Sequence, residues 1–455
     1  MGRPRPEAAG AVPSPGPERR NVALHLLPPA LFLVCAFAWS LAIPPFESPD
    51  EIGHARYVNY LREHGRLPIA GSGAPGEAHQ PPLYYAMAAA VGTAAGWEPI
   101  SVSSERNPRF VWYGGSGAAK YLHPAHERPA LTGSASTLHR LRLLSVLLGS
   151  GAVLAIGLLA RAAGMAGPGC CLVASLAAFT PQFTFVSGSL NNDSLANLAG
   201  AMCLALLAAG MAAPRTPIWG AAGLAAGAGL LAKFSTLTML PCGPLAAILS
   251  PSRGRGGRLR AAGWFLLPAL LLPAPLLLSN LLRWGDPFGA AAQIETLPQL
   301  VDRKSLLSTY FLVEFPRVML RSFWGTFGWM SLPMPRPIDL AFAALTAAGL
   351  AGLVLAWRRG AAGPIHGMLS AAVAAQIGQV VVYNLTFTQA QGRFLFPVMG
   401  AAALLLGTGL GELWRRGGGP SLSPATAAGL AVLMAACNQG LLWLWVAPAY
   451  AAPPG

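Results

Sequence analysis

The stretch "PPFESPDEIGHARYVNYLREHGRLP" at 44–68 directly follows the first long apolar run of the chain and carries adjacent acids, Asp50 and Glu51. Carboxylates close to lipid are costly to desolvate, so acids here are either a solvated turn or a reaction centre. Asp50 and His54 stand four apart and share one face of the helix that Ile52, Tyr57, Tyr60 and Leu61 predict. An N-capped interfacial helix would have the same spacing. A second piece, "EAHQPPLYYAMAAAVG", puts His79, Gln80, Tyr84 and Tyr85 at a Pro-initiated helix start, where the tyrosines also suit a membrane interface. A third, "FVSGSLNNDSLANLAG", places Asn192 and Asp193 at a junction between two apolar runs. Two cations, Lys233 in "GLLAKFSTLTMLP" and Arg393 in "FTQAQGRFLFPVMG", interrupt or open other runs. A cation at membrane depth pairs with something, or snorkels to phospholipid headgroups. A phosphate-bearing ligand is the simplest partner.

The elements that must position these groups are helices in lipid. The chain has 455 residues, 54% hydrophobic and only 11% charged, far below the quarter or so of soluble domains. Apolar runs of spanning length are read near 22–43, 140–160, 169–188, 194–213, 217–232, 235–250, 262–281, 338–357, 364–384, 394–411 and 424–446. The expectation is an all-α polytopic membrane protein with about 11 transmembrane helices. The run at 81–96 is too short and is read as interfacial or re-entrant. Residues 1–21 read as a disordered cytoplasmic tail, 22–446 as a single transmembrane domain, and 447–455 as a short C-terminal tail. Two outer segments are long, 44–138 and 282–337, and the aromatics of the second argue against disorder.

The net charge of +14 does not point to nucleic acid. The basic residues are almost all Arg, with Lys only at 120, 233 and 304, and they sit in short clusters between apolar runs. Arg161, Arg215, the cluster Arg253, Arg255, Arg258 and Arg260, the pair Arg358–Arg359 and the pair Arg415–Arg416 fall on one side if the N-terminus is cytoplasmic. All the acids except Glu7, Glu18 and Glu412 sort to the other side or its interface, with Asp50, Asp193, Lys233 and Arg393. A multi-pass protein of the bacterial inner (plasma) membrane follows, with the C-terminus outside and the candidate chemistry at the outer face. The six cysteines show no CxxC spacing and read as small apolar residues of helices.

In order, these features resemble the GT-C glycosyltransferases that use polyprenyl-phosphate sugars, a superfamily including protein O-mannosyltransferases and the lipid A aminoarabinose transferase. The matching residues are Asp50–Glu51 after the first span, "HQPPLYY" at 79–85, Asp193, Lys233, "SFWGTFGW" at 322–329 and "GRFLFP" at 392–397. One departure is Gln80, where the aminoarabinose-type enzymes carry a Lys. The resemblance implies a GT-C-like bundle, with interfacial helices in the first outer loop. It also implies inverting transfer of a sugar from a lipid phosphate to an acceptor lipid, glycan or protein at the outer face.

In that reading Asp50 is the base, with Glu51 as helper or structural partner, and Asp193 orients the acceptor or Lys233. Lys233, Arg393, His79 and Gln80 hold the donor phosphate, while His54, Tyr84, Tyr85 and Asn192 line the substrate. A divalent metal on Asp50, His54, His79 and Asp193 is kept open. So are a transporter or flippase, and a ligase of envelope glycans.

Overall fold

The computed structural model describes residues 17–71, 73–111, 119–127, 131–213, 215–251 and 253–451. The predicted tail lies mostly outside the described residues, and so do 452–455, but helix is already present from Pro17. The first helices in chain order are α1 (Pro17–Ala42), α2 (Glu51–His64), α3 (Leu83–Ala94), α4 (Ser136–Ala162), α5 (Gly167–Ala178) and α6 (Pro181–Ser187). There follow α7 (Asp193–Ala212), α8 (Thr216–Ala232), α9 (Met239–Leu249), α10 (Arg255–Leu271), α11 (Ala274–Trp284) and α12 (Ala290–Thr296). The last are α13 (Phe315–Trp324), α14 (Arg336–Arg358), α15 (Pro364–Asn384), α16 (Met399–Arg416), α17 (Pro424–Leu441) and α18 (Ala447–Ala451).

The expectation of an all-α membrane bundle holds; the count of 11 spans is not confirmed. Among the described residues seven helices are long and apolar enough to cross a membrane, or up to nine if each bent pair is one span. The predicted span 169–188 is α5 and α6, bent by 67°, and 262–281 is replaced by α10 and α11, bent by 55°. The breaks fall at prolines, Pro181 at the start of α6 and Pro275 at the start of α11, where the missing N–H costs no helical bond. The runs predicted at 217–232 and 235–250 form only the short α8 and, after a 3₁₀ turn at Phe234–Thr238, α9. Helix α3 stays short, as its length suggested.

Small residues let the helices close up. A Cβ on Gly409 of α16 would sit 1.9 Å from the Gly349 carbonyl oxygen of α14, so no side chain fits at that crossing. The largest core cluster joins α1, α4, α5, α7, α8 and α16, and a second packs α2 and α3 against α4. That second cluster sets the acids of the first long connecting segment against the membrane helices. The other long segment, 282–337, ends in a small hairpin pairing Thr326–Phe327 with Leu332–Pro333. It docks on the first segment through Trp329, whose indole N–H donates to the Phe46 carbonyl at 2.9 Å.

Candidate active site

Glu51 anchors the start of α2. Its fully buried carboxylate accepts Arg142 Nε at 2.8 Å, Arg142 Nη2 at 2.6 Å, and the backbone N–H groups of Phe46 and Leu190 at 2.9 and 2.8 Å. Arg142 also donates to the carbonyls of Ser40, Ile43 and Pro44, which close the C-terminal end of α1. This bidentate pair therefore ties α1, α2, α4 and the turn before α7 together.

Asp50, one residue earlier, holds a left-handed backbone (φ 66°, ψ −5°) at the N-cap without capping the helix through its side chain. That conformation is uncommon for a residue with a Cβ. The carboxylate is turned instead to Arg393, whose Nη2 stands 2.5 Å from Asp50 Oδ2.

From Arg393 the charges continue as a chain. Its Nη1 reaches Asp193 Oδ2 at 3.3 Å, its Nε donates to Gln391 at 2.7 Å, and Lys233 Nζ closes on Asp193 Oδ1 at 2.5 Å. The order is Asp50–Arg393–Asp193–Lys233, two acids and two bases with no net charge. Arg393 and Asp193 are 4% and 2% exposed, whereas Asp50 is 39% exposed and so is the member open to an incoming group. Arg393 is placed by a close backbone approach. A Cβ on Gly392 would lie 2.1 Å from the Phe323 nitrogen, and the Gly392 N–H donates to Ser322 Oγ at 2.8 Å. The aromatic motif at 322–329 thus holds the "GRFLFP" turn.

Burial alone would raise the Asp50 carboxyl, but the surrounding positive charge, Arg393 foremost, outweighs it and holds the group below the ordinary carboxylate range. Glu77 behaves oppositely. Burial, reinforced by the Asp50 charge, pushes it up to about 8, so it is protonated at neutral pH. Burial also pushes His54 down to about 3 and His79 down to about 4, which makes both neutral imidazoles.

His54 Nδ1 lies 2.9 Å from Tyr85 Oη, and Tyr85 stacks on Tyr57 at 4.0 Å. Tyr84 turns away to Ser145 Oγ at 2.7 Å, so the two tyrosines, both fully buried, pack α3 on α2 and α4 instead of forming an interface belt. A second polar chain runs beside the first. Asn192 Nδ2 donates to the Ala232 carbonyl at 2.9 Å and to Gln80 Oε1 at 3.2 Å, and Gln80 Nε2 donates to His79 Nε2 at 3.1 Å. That order puts the His79 proton on Nδ1, which is buried without a partner, as is Asn192 Oδ1. His79 and Gln80 also line a cleft of about 910 Å³ between α2, the 66–82 loop and α11, with Arg56, Arg66, Arg283 and Trp284 on its walls.

The structure thus brings Asp50, Asp193, Lys233 and Arg393 into one chain, sets His54, His79, Gln80 and Asn192 around it, and turns Glu51 and Tyr84 onto structural partners. Among the described residues no three His, Cys, Asp or Glu side chains gather to hold a metal, since both aspartates are turned to Lys233 and Arg393. Sequence reasoning missed Arg142, Glu77 and Lys120, the last lying 3.1 Å from the centre of the Trp329 ring. It also missed Glu47, which accepts from the Lys120 and Tyr121 amides and sits 2.9 Å from His123 Nε2. Arg142 did leave a signal, as a charge inside a predicted span.

No known family model matches the chain, and no curated protein matches it. Solved structures do. ArnT from Cupriavidus metallidurans bound to undecaprenyl phosphate aligns with a TM-score of 0.52 over 94% of this chain and 74% of that one, at 15% identity. The apo form of the same protein aligns with a TM-score of 0.52 at 16% identity, over 94% of this chain and 73% of that one. The chain shares the fold of these structures. The multi-pass helical bundle is part of that likeness.

Proposed function

We propose that the protein is a membrane glycosyltransferase that moves a sugar from a polyprenyl-phosphate carrier to an acceptor hydroxyl or amine at the outer face, with inversion. One observation carries the reading. On a fold shared with a protein that binds undecaprenyl phosphate, an open carboxylate is joined through a single guanidinium to a buried acid and a lysine.

Asp50 takes the acceptor proton as the acceptor attacks the anomeric carbon and the bond from that carbon to the phosphate oxygen breaks. The transition state is oxocarbenium-like, and the Asp50 carboxylate stabilises its positive charge until protonated. The carrier departs as a phosphate monoester and gains one negative charge, so preplaced cations lower the barrier. Arg393 couples the two events. Once Asp50 is protonated its hold on the guanidinium weakens, and that charge becomes available to the leaving phosphate.

Lys233 has two further N–H groups for the same oxygens while Asp193 holds it in place. His79 and Gln80 face the cleft through which the carrier phosphate enters, in place of the Lys of aminoarabinose-type enzymes. Glu77, neutral at pH 7, serves as a hydrogen-bond donor. Glu51 positions Asp50 and takes no proton, because its oxygens are already saturated.

The test uses purified protein in nanodiscs with a panel of radiolabelled polyprenyl-phosphate sugars, reading release of free polyprenyl phosphate. Wild type releases carrier phosphate, and Asp50→Asn loses at least about 10²-fold while eluting as a folded protein. Equal release by the two would end the role given to Asp50. A wild type that neither releases nor binds any carrier would end the transferase reading.

A further inference from the structure

Among the described residues, the far end of the bundle carries cations that no acid faces. Helix α8 ends at the site beside Lys233 and α9 begins there, so the start of α8 and the α9–α10 connection lie at the opposite end. In that connection Arg253 Nε and Nη2 and Arg258 Nε are buried without a hydrogen-bond partner. The fully buried Ser250 hydroxyl is unpartnered as well.

These groups stand together. Arg258 Nη2 approaches the Ser250 carbonyl at 3.5 Å, and Arg253 lies against Gly257 in the first turn of α10, with its Cβ 3.6 Å from where a Gly257 Cβ would be. The Arg253 guanidinium stands 5.3 Å from the Trp219 ring, which fixes one of its faces. The amides of that first turn have no intrahelical acceptor, and Gly254 at the cap offers no side chain.

Every one of these groups can donate, and the sequence has no acid between Asp193 and Asp286 to receive them. Among the described residues, the acid at the matching ends of α14 and α16 is Glu412, already held by Arg359, Arg415 and Arg416. Both side chains are only partly buried, but buried N–H groups left without an acceptor are costly, and an anion from outside would satisfy them. The outward face of α10 shows what carries it. Leu259, Trp264, Leu267 and Leu271 are half or more exposed and run from this cluster along the helix, a track for an acyl chain.

We propose that Arg253 and Arg258, with the first turn of α10, form a binding site for the phosphate of an anionic lipid, in the leaflet opposite the sugar-transfer site. The site stands on its own donors and does not depend on the transferase reading.

The full-length protein is reconstituted in nanodiscs holding equal amounts of phosphatidylglycerol and phosphatidylcholine, and retained lipid is read by native mass spectrometry. Wild type keeps phosphatidylglycerol in preference, and the Arg253→Gln/Arg258→Gln variant loses that preference by about thirtyfold, two guanidinium contacts' worth. Inorganic phosphate is titrated separately in pure phosphatidylcholine discs. Failure of millimolar phosphate to raise the melting temperature supports the lipid as source. A rise seen in wild type and absent in the variant, without lipid preference, overturns the lipid and leaves a free-anion site. No preference and no rise in wild type overturns the site, and this arm stands even if the variant does not fold.

Discussion

Arg142→Met tests whether the buried pair beneath Asp50 organises the site. In wild type the guanidinium makes two bonds to Glu51 and three to the carbonyls of Ser40, Ile43 and Pro44, and both side chains are fully buried. Met fills a similar volume but leaves Glu51 charged and unpaired, with only the Phe46 and Leu190 amides on it. Removing one partner of a buried pair costs about 3–5 kcal/mol, and orphaned carbonyls add to it. One kcal/mol shifts a domain of 150–250 residues by about 2–4 °C and a longer chain by less, so the midpoint falls by roughly 5–10 °C. The assay is thermal unfolding in detergent, followed by intrinsic fluorescence and by carrier release. In the double variant Glu51→Gln/Arg142→Met the neutral amide still accepts one of the two amides, so more than half of the lost stability returns. Carrier release stays low in both variants, because the turn that holds Asp50 in its left-handed conformation is no longer tied to α1. An Arg142→Met protein that melts and turns over like wild type would refute the reasoning.

Three further outcomes follow. Glu77, pushed up to about 8, ionises as pH rises through that value and adds a second negative charge beside Asp50, so wild-type turnover falls on the basic side near pH 8. Glu77→Gln keeps neutral-pH activity and removes that limb, which a pH–rate profile reads; an unmoved limb assigns it elsewhere. Lys233→Met and Arg393→Met each weaken carrier-phosphate binding by about tenfold or more in equilibrium binding to nanodiscs, with Arg393→Met the more damaging because it also unpairs Asp50 and leaves Asp193 to Lys233 alone. Gly392→Ala drives a methyl against the Phe323 backbone at 2.1 Å and loses turnover through displacement of Arg393, with Ala at the open Gly378 as the control that changes neither turnover nor melting.

How much of this was legible in the sequence differs between fold and site. Hydropathy locates lipid-facing runs well, because every backbone group in a membrane must be satisfied within a helix. It does not see where a run breaks. The stretch 217–250 is apolar almost throughout, yet Lys233 and a 3₁₀ turn divide it, leaving α8 with 17 residues and about 25 Å of rise, short of the hydrocarbon thickness. The same blindness to prolines merged α5 with α6. The short α8 ends beside the site, and its C-terminal end places Lys233 there.

For the site, ordered motifs brought the four charged residues together on one side, but periodicity could not say which acid of the adjacent pair faces the chemistry. Both stand at the start of the same helix, and a single residue step decides between full burial and exposure. The deciding partner, Arg142, is 91 positions away from Glu51, and no local pattern encodes such a contact. Spacing likewise could not show that the cations already hold carboxylates. That pairing changes the chemistry expected of them: a lone lysine and arginine would form a fixed anion trap, whereas Asp50–Arg393–Asp193–Lys233 is neutral at rest. In the proposed reaction its affinity for phosphate would rise only when Asp50 accepts a proton, timing leaving-group stabilisation to the same step as acceptor activation.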